Sequence, residues 1–171
     1  LHGKKNALEI GCGDGFVAGI VQQEVSVVHG LDFDHNFIES AQETWKGNNA
    51  FHFFTEDILN DKLQINHKYE AVYSLDVIEH IDPDQEDVFL QNALKFLEPN
   101  GVAIFGSPTL ESQMYASKWS KEGHVNCKTG YELKALIERY FKQVFLLGMN
   151  DETLHTGYSK MSHYNFVLAV N

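Results

Sequence analysis

Apolar and polar positions alternate in blocks along this chain, and the period of the alternation changes from block to block. Short runs rich in β-branched and aromatic residues read as strands at Asn6 to Ile10, Val25 to Asp32, Phe51 to Thr55, Ala71 to Leu75, Val102 to Gly106, Val144 to Leu147 and Tyr164 to Val170. The stretches between the early strands have helical spacing, with Phe16, Ile20 and Val21 in one and Phe37, Ile38, Ala41 and Trp45 in the next. Strands and helices in alternation build βαβ units, so the pattern predicts an α/β fold around a largely parallel sheet of seven strands.

Helix starts are written in the capping residues. Asp82-Pro83-Asp84-Gln85 offers a capping carboxylate, a proline at the first helical position and a glutamine at the third, ahead of Val88, Leu90, Leu94 and Leu97. That helix is expected to stop at the Pro99-Asn100-Gly101 turn. Thr129-Gly130-Tyr131-Glu132 forms a second capping box, followed at helical spacing by Leu133, Leu136, Ile137, Tyr140 and Phe141. From Gln143 to Asn171 two strand-like runs have no strong helix between them, which predicts an antiparallel hairpin at the sheet edge. Residues 107–127 carry no clear period, and loops of that length in compact domains often serve as functional lids.

Composition narrows the picture. The 171 residues fit a single domain spanning 1–171, 43% of them are apolar, and no run of about 18 apolar residues suggests a membrane span. Thirteen basic against 24 acidic residues give a formal charge of −11, which repels polyphosphate and disfavours nucleic acid as a partner. Two cysteines, Cys12 and Cys127, are too few for a disulfide framework, so a reduced, cytoplasmic setting is expected. The first strand follows almost at once on Leu1-His2-Gly3-Lys4-Lys5, as in a trimmed or minimal form of a larger enzyme.

The chemistry starts where the first strand ends. Glu9-Ile10-Gly11-Cys12-Gly13-Asp14-Gly15 runs from an apolar strand through a glycine-rich turn into a helix, the layout of a nucleotide-type cofactor site. A dinucleotide loop reads G-x-G-x-x-G, whereas here Phe16 occupies the place of the third glycine. The loop has no lysine or arginine, and Glu9 and Asp14 are acidic, which suits a ligand bearing an ammonium and a sulfonium better than one bearing phosphates. Asp32 closes the second strand 17 residues beyond Gly15, where a carboxylate can accept hydrogen bonds from both ribose hydroxyls. Asp34 reads as the cap of the following helix. Glu56-Asp57-Ile58 ends the third strand with a carboxylate for an exocyclic amine and an apolar group for a purine face, although a solvated loop acid reads the same way.

Taken in order, these segments resemble the motifs of the class I S-adenosylmethionine-dependent methyltransferases. Residues 9–15 resemble the family's first motif, Gly30-Leu31-Asp32 the second, Glu56-Asp57-Ile58 the third, Tyr73 to Ile81 the fourth-strand motif and Leu97-Glu98-Pro99-Asn100-Gly101 the turn before the fifth strand. The resemblance implies a Rossmann-like three-layer sandwich with a seven-stranded, mostly parallel sheet and an antiparallel C-terminal strand. It implies S-adenosylmethionine as cofactor, with Glu9, Gly11, Cys12, Gly13, Gly15, Asp32, Phe33, Asp57, Ile58, Leu75 and Asp76 as its binding residues. The family usually has helices before the first strand, and the short lead-in to Asn6 is read as lacking them.

Methyl transfer from a sulfonium is an in-line displacement that needs alignment and exclusion of water more than a protein nucleophile. A hydroxyl acceptor also needs a base, and His124 and His80 are the candidates among nine histidines: His80 follows the fourth strand, and His124 sits in the long segment after the fifth. Asp76-x-x-Glu79-His80 with His124 also offers ligands for a divalent metal, an arrangement similar to the acid-x-x-Glu-His element of the ubiquinone-pathway O-methyltransferases and the small-RNA 3′-end methyltransferases. Met114, Tyr115 and Trp119 either wall a pocket or bury one face of an ordinary helix. The expected function is methyl transfer to a small-molecule acceptor, at a hydroxyl oxygen. The alternatives are a non-catalytic S-adenosylmethionine-binding module, an RNA 3′-end methyltransferase and, against the loop chemistry, an NAD-linked enzyme.

Overall fold

The computed structural model describes residues 1–60, 62–63 and 67–171. The chain begins with β1 (Asn6–Ile10), α1 (Phe16–Val21), β2 (Val27–Asp32), α2 (His35–Thr44) and β3 (Phe51–Thr55). It continues through β4 (Tyr69–Leu75), α3 (Glu86–Phe96), β5 (Leu97–Pro108), α4 (Lys118–Gly123) and α5 (Gly130–Ile137), and ends with β6 (Gln143–Asn150), β7 (Thr153–His155) and β8 (Tyr164–Val170). The strands form one sheet in the order β3-β2-β1-β4-β5-β8-β6-β7. All pairs from β3 to β5 are parallel, whereas β8 is antiparallel to both of its neighbours, β5 and β6.

Alternation along the strands sends side chains to two cores. Leu8, Ile10, Leu31, Val72, Phe105 and Val167 face α3 and α5, where Phe89, Leu90, Leu133 and Ile137 close the layer. Ala7, Val28, Phe51, Phe53 and Tyr73 face α1 and α2, meeting Ala18, Ile38 and Ala41. This is the α/β three-layer arrangement expected from the alternating pattern. Asp34 caps α2, accepting the Asn36 N–H at 2.8 Å, and the Thr129/Glu132 capping box at α5 is complete in both directions.

Three differences from the sequence reading have local causes. Asp82 to Gln85 closes as a turn, with Gln85 N–H donating to the Asp82 carbonyl at 2.9 Å, so α3 starts at Glu86 rather than at Pro83. The fifth strand begins at Leu97, paired with Tyr69 across a register shift, and so takes in the Pro99-Asn100-Gly101 segment. Among the described residues the sheet has eight strands rather than seven. Thr153–His155 forms a short hairpin with β6 and takes the edge, and β8 slots between β5 and β6.

The topology puts the carboxyl ends of β1, β2 and β4 side by side. Gly11, at φ +75, makes the turn there possible: a Cβ on it would stand 2.3 Å from Val77 Cγ2. No helix among the described residues is long and apolar enough to cross a membrane.

Candidate active site

Above these strand ends lies a hollow of about 570 Å³, walled by Gly11, Gly13, Asp32, Phe33, Phe37, Asp57, Ile58, Asp76, Val77, His80 and their neighbours. Asp32 is its anchor. Its Oδ2 accepts the Gly13 N–H at 2.9 Å and its Oδ1 the Asp34 N–H at 2.9 Å, which fixes the plane of the carboxylate and leaves each oxygen a further lone pair. A Cβ built on Gly13 meets nothing within 4 Å, so the backbone there lies open to a close-fitting ligand. Asp57 Oδ1 accepts the Leu59 N–H at 2.8 Å, a turn that presents the buried Ile58 to the hollow. Among the described residues no lysine or arginine lines this space, while Asp32, Glu56, Asp57 and Asp76 do. Such a wall suits a cationic ligand with an apolar body.

Four residues grouped with this site by the motif lie outside the hollow's walls: Glu9, Cys12, Gly15 and Leu75. Glu9 is 3% exposed and accepts the Tyr73 hydroxyl at 3.0 Å. Burial pushes its carboxyl up to about 8, and the charges of Asp32 and Asp14 add to the effect. Cys12 packs against Gly30, and burial raises its thiol. Gly15 caps α1 and its carbonyl accepts the Trp45 indole N–H at 3.1 Å, while Leu75 covers Gly106. These groups hold the turn from beneath.

The other end of the hollow is made of side chains. Asp76 opens into it with its backbone at φ +56, its N–H donating to the Gly106 carbonyl at 3.1 Å. The residue is exposed along the hollow, yet the walls around it raise its carboxyl above the ordinary range, with Tyr164, His124 and His80 acting in the opposite sense. One 3₁₀ turn, Ile78–His80, then sends Glu79 inward and His80 outward. Glu79 is fully buried and both carboxylate oxygens lack a hydrogen bond, the nearby Ser107 hydroxyl donating instead to the Pro108 carbonyl at 3.2 Å. Burial pushes its carboxyl up to about 7.

The Asn126 N–H donates to the Glu79 carbonyl at 2.9 Å and its side chain to Ile81 O at 2.9 Å, pinning the loop that carries His124. His80 and His124 meet with ring centroids 5.0 Å apart. His80 Nδ1 donates to the Gly123 carbonyl at 2.8 Å, and His124 Nδ1 contacts Gln113 Oε1 at 2.9 Å, so both Nε2 atoms are left free. Burial, aided by the neighbouring His80, lowers the His124 imidazole, which keeps it neutral with a lone pair available at neutral pH. Ligand atoms of Glu79, His80 and His124 all lie within 4.8 Å of one another.

Met114, Tyr115 and Trp119 are 70%, 83% and 80% exposed on the segment over this end, so they neither bury a helix face nor line the hollow. Phe37, Gln113 and Tyr164 also shape the site, though nothing local in the sequence marks them for it, and Val77 lines the hollow from within the fourth-strand motif.

Comparison with known proteins agrees with this geometry. Residues 8–103 match the family described as "Methyltransferase domain". The chain is 29% identical over 113 residues to a ubiquinone biosynthesis O-methyltransferase of Rickettsia akari, covering 66% of this chain and 44% of that protein. It is 29% identical over 105 residues to a phosphoethanolamine N-methyltransferase of Plasmodium falciparum, covering 61% of this chain and 39% of that protein. The chain thus spans less than half the length of these relatives. The crystal structure of the N-methyltransferase NodS from Bradyrhizobium japonicum WM9, in complex with S-adenosyl-L-homocysteine, superposes with a TM-score of 0.71 at 19% identity, covering 98% of this chain and 78% of that one.

Proposed function

Because the chain belongs to the methyltransferase-domain family, of the class I S-adenosylmethionine-dependent kind, we propose that it moves a methyl group from S-adenosylmethionine to a hydroxyl oxygen of a small-molecule acceptor. One observation carries the reading: a doubly anchored Asp32 stands beside an open glycine turn in a hollow that has acids and apolar groups but no lysine or arginine among the described residues. A sugar with two hydroxyls, an apolar ring and a cationic arm fits that wall.

When bound, the donor supplies a methyl already activated on a sulfonium, and the protein aligns it. In this reading Asp32 accepts from the ribose hydroxyls through its two remaining lone pairs. Ile58 and Phe33 cover the faces of the adenine and Asp57 receives its amine, while the Gly11–Gly13 backbone and Asp76 face the amino-acid arm. His124 Nε2 takes the acceptor's proton as the oxygen attacks, the Nδ1 contact to Gln113 holding the ring in the required tautomer. His80, whose ring meets that of His124, steadies the acceptor beside it. The apolar walls thin out water around the reacting centre.

A specific observation also favours a divalent cation at this end. Glu79 carries two buried, unpartnered oxygens, and both imidazoles donate or anchor through Nδ1 in the way metal-ligating histidines do. In that arrangement Glu79, His80 and His124 would hold the ion, which would supply Lewis acidity to the acceptor oxygen in place of proton removal by His124. The formal charge of −11 argues against an RNA acceptor.

The test is transfer from a donor labelled at the methyl group to a panel of phenols, sugars and amines, with and without a chelator. Label on phenolic or alcoholic oxygen is expected. Label on amines alone overturns the oxygen assignment, and donor binding without transfer to any class points to a regulatory module.

A further inference from the structure

Asp76 holds a left-handed backbone at φ +56, a conformation that costs a non-glycine residue about 1 kcal/mol or more and persists only where neighbours enforce it. One restraint comes from its own side of the sheet, the N–H bond to the Gly106 carbonyl. The second comes from the antiparallel strand. Tyr164 opens β8 opposite Pro108 of β5, and its ring passes over Gly106, where a Cβ would stand 2.8 Å from the Tyr164 hydroxyl and 2.6 Å from Leu75. Only a glycine lets the phenol cross there. That crossing brings the hydroxyl to the neighbourhood of Asp76, whose N–H binds the carbonyl of the same Gly106, and the two groups shift each other's proton affinity. Burial and the charges of Asp76 and Glu79 raise the phenol, so it stays protonated and serves as a donor.

We infer that Tyr164 is a positioning residue: its hydroxyl, admitted by the missing side chain at Gly106, fixes the Asp76 carboxylate to receive the ammonium of the donor's amino-acid arm. The inference rests on the proposed placement of that arm beside Asp76. It assigns β8 a role in donor binding, although β8 lines no part of the hollow.

Calorimetric titration of the full chain with S-adenosylhomocysteine and with adenosine, which lacks the arm, tests it. Tyr164→Phe is expected to weaken S-adenosylhomocysteine about tenfold, as loss of a hydrogen bond to a charged group does, and to leave adenosine unchanged. Its melting temperature stays within about 2 °C of wild type. The Tyr164→Phe, Asp76→Asn double variant binds no more weakly than Asp76→Asn alone, and Gly106→Ala, which keeps the phenol but displaces it, reproduces the selective loss. Unchanged S-adenosylhomocysteine affinity in Tyr164→Phe, full additivity with Asp76→Asn, or equal losses for both ligands overturns the inference. Wild-type affinity in Asp76→Asn overturns the placement of the arm and the inference with it, whereas failure of the wild type to bind either ligand overturns the donor reading itself.

Discussion

The two ends of the hollow are built by different means. At the glycine-turn end, backbone does the holding: Gly13 and Asp34 N–H groups orient Asp32, so the anchor itself is assembled within residues 13–34. At the histidine end, side chains do it, and His80 and His124 meet across 44 residues of sequence through a loop tied by Asn126 and Gln113. A backbone-built wall tolerates little change and accepts one kind of ligand. A wall of side chains on a pinned loop can be altered piece by piece, which fits the proposed division between a donor end and an acceptor end.

That contrast can be broken most directly at Asp32. Asp32→Ala removes two charge-assisted hydrogen bonds to the ribose together with the brace on Gly13, so donor affinity by calorimetry is expected to fall about 500-fold; a loss under threefold would end the backbone-wall account. The acceptor end should fail differently. His124→Ala is expected to lower kcat about 100-fold, the usual scale for a general base, with donor affinity unchanged. Because burial lowers the His124 imidazole from its ordinary 6.5, the wild-type rate should hold at neutral pH and fall only below about pH 6.5, an acid limb that the variant lacks.

Smaller effects sharpen the comparison. Gly11→Ala has to accommodate φ +75 and the Val77 methyl at 2.3 Å, so donor affinity should drop about tenfold, with partial recovery in the Gly11→Ala, Val77→Ala double variant. Binding titrations of both variants check this. Glu9, under the turn, should act on stability alone. Its carboxyl is raised from 4.5 to about 8 in the folded chain, so the folded state holds the proton more tightly than the unfolded one. Its contribution is complete below about pH 4.5 and is lost as the pH rises through about 8. Glu9→Gln should therefore melt a few degrees higher than wild type at pH 9 and like it at pH 4, read from melting curves across that range.

The same contrast explains what the sequence makes legible. The glycine turn, the Asp32 strand end and the Asp34 and Thr129 caps are visible because their partners lie a few residues away. Periodicity also locates the strands and the two-sided core, since alternation is a local property. It does not say which strand pairs with which, so the insertion of β8 between β5 and β6 and the short Thr153–His155 edge strand come only with the structure. Nor does a motif say which of its residues line the hollow: Glu9, Cys12, Gly15 and Leu75 support the turn from behind, and the strand pattern alone does not separate them from Gly11 and Asp32. The phenol that reaches Asp76 sits 88 residues downstream, where sequence spacing carries no signal.

A crystal of the chain soaked with S-adenosylhomocysteine tests the central claim most directly. Density for the ligand should fill the hollow, with both ribose hydroxyls on the Asp32 carboxylate and the sulfur pointing toward His80 and His124. Ligand bound elsewhere, or a ribose turned away from Asp32 with the hollow still open, would contradict the account.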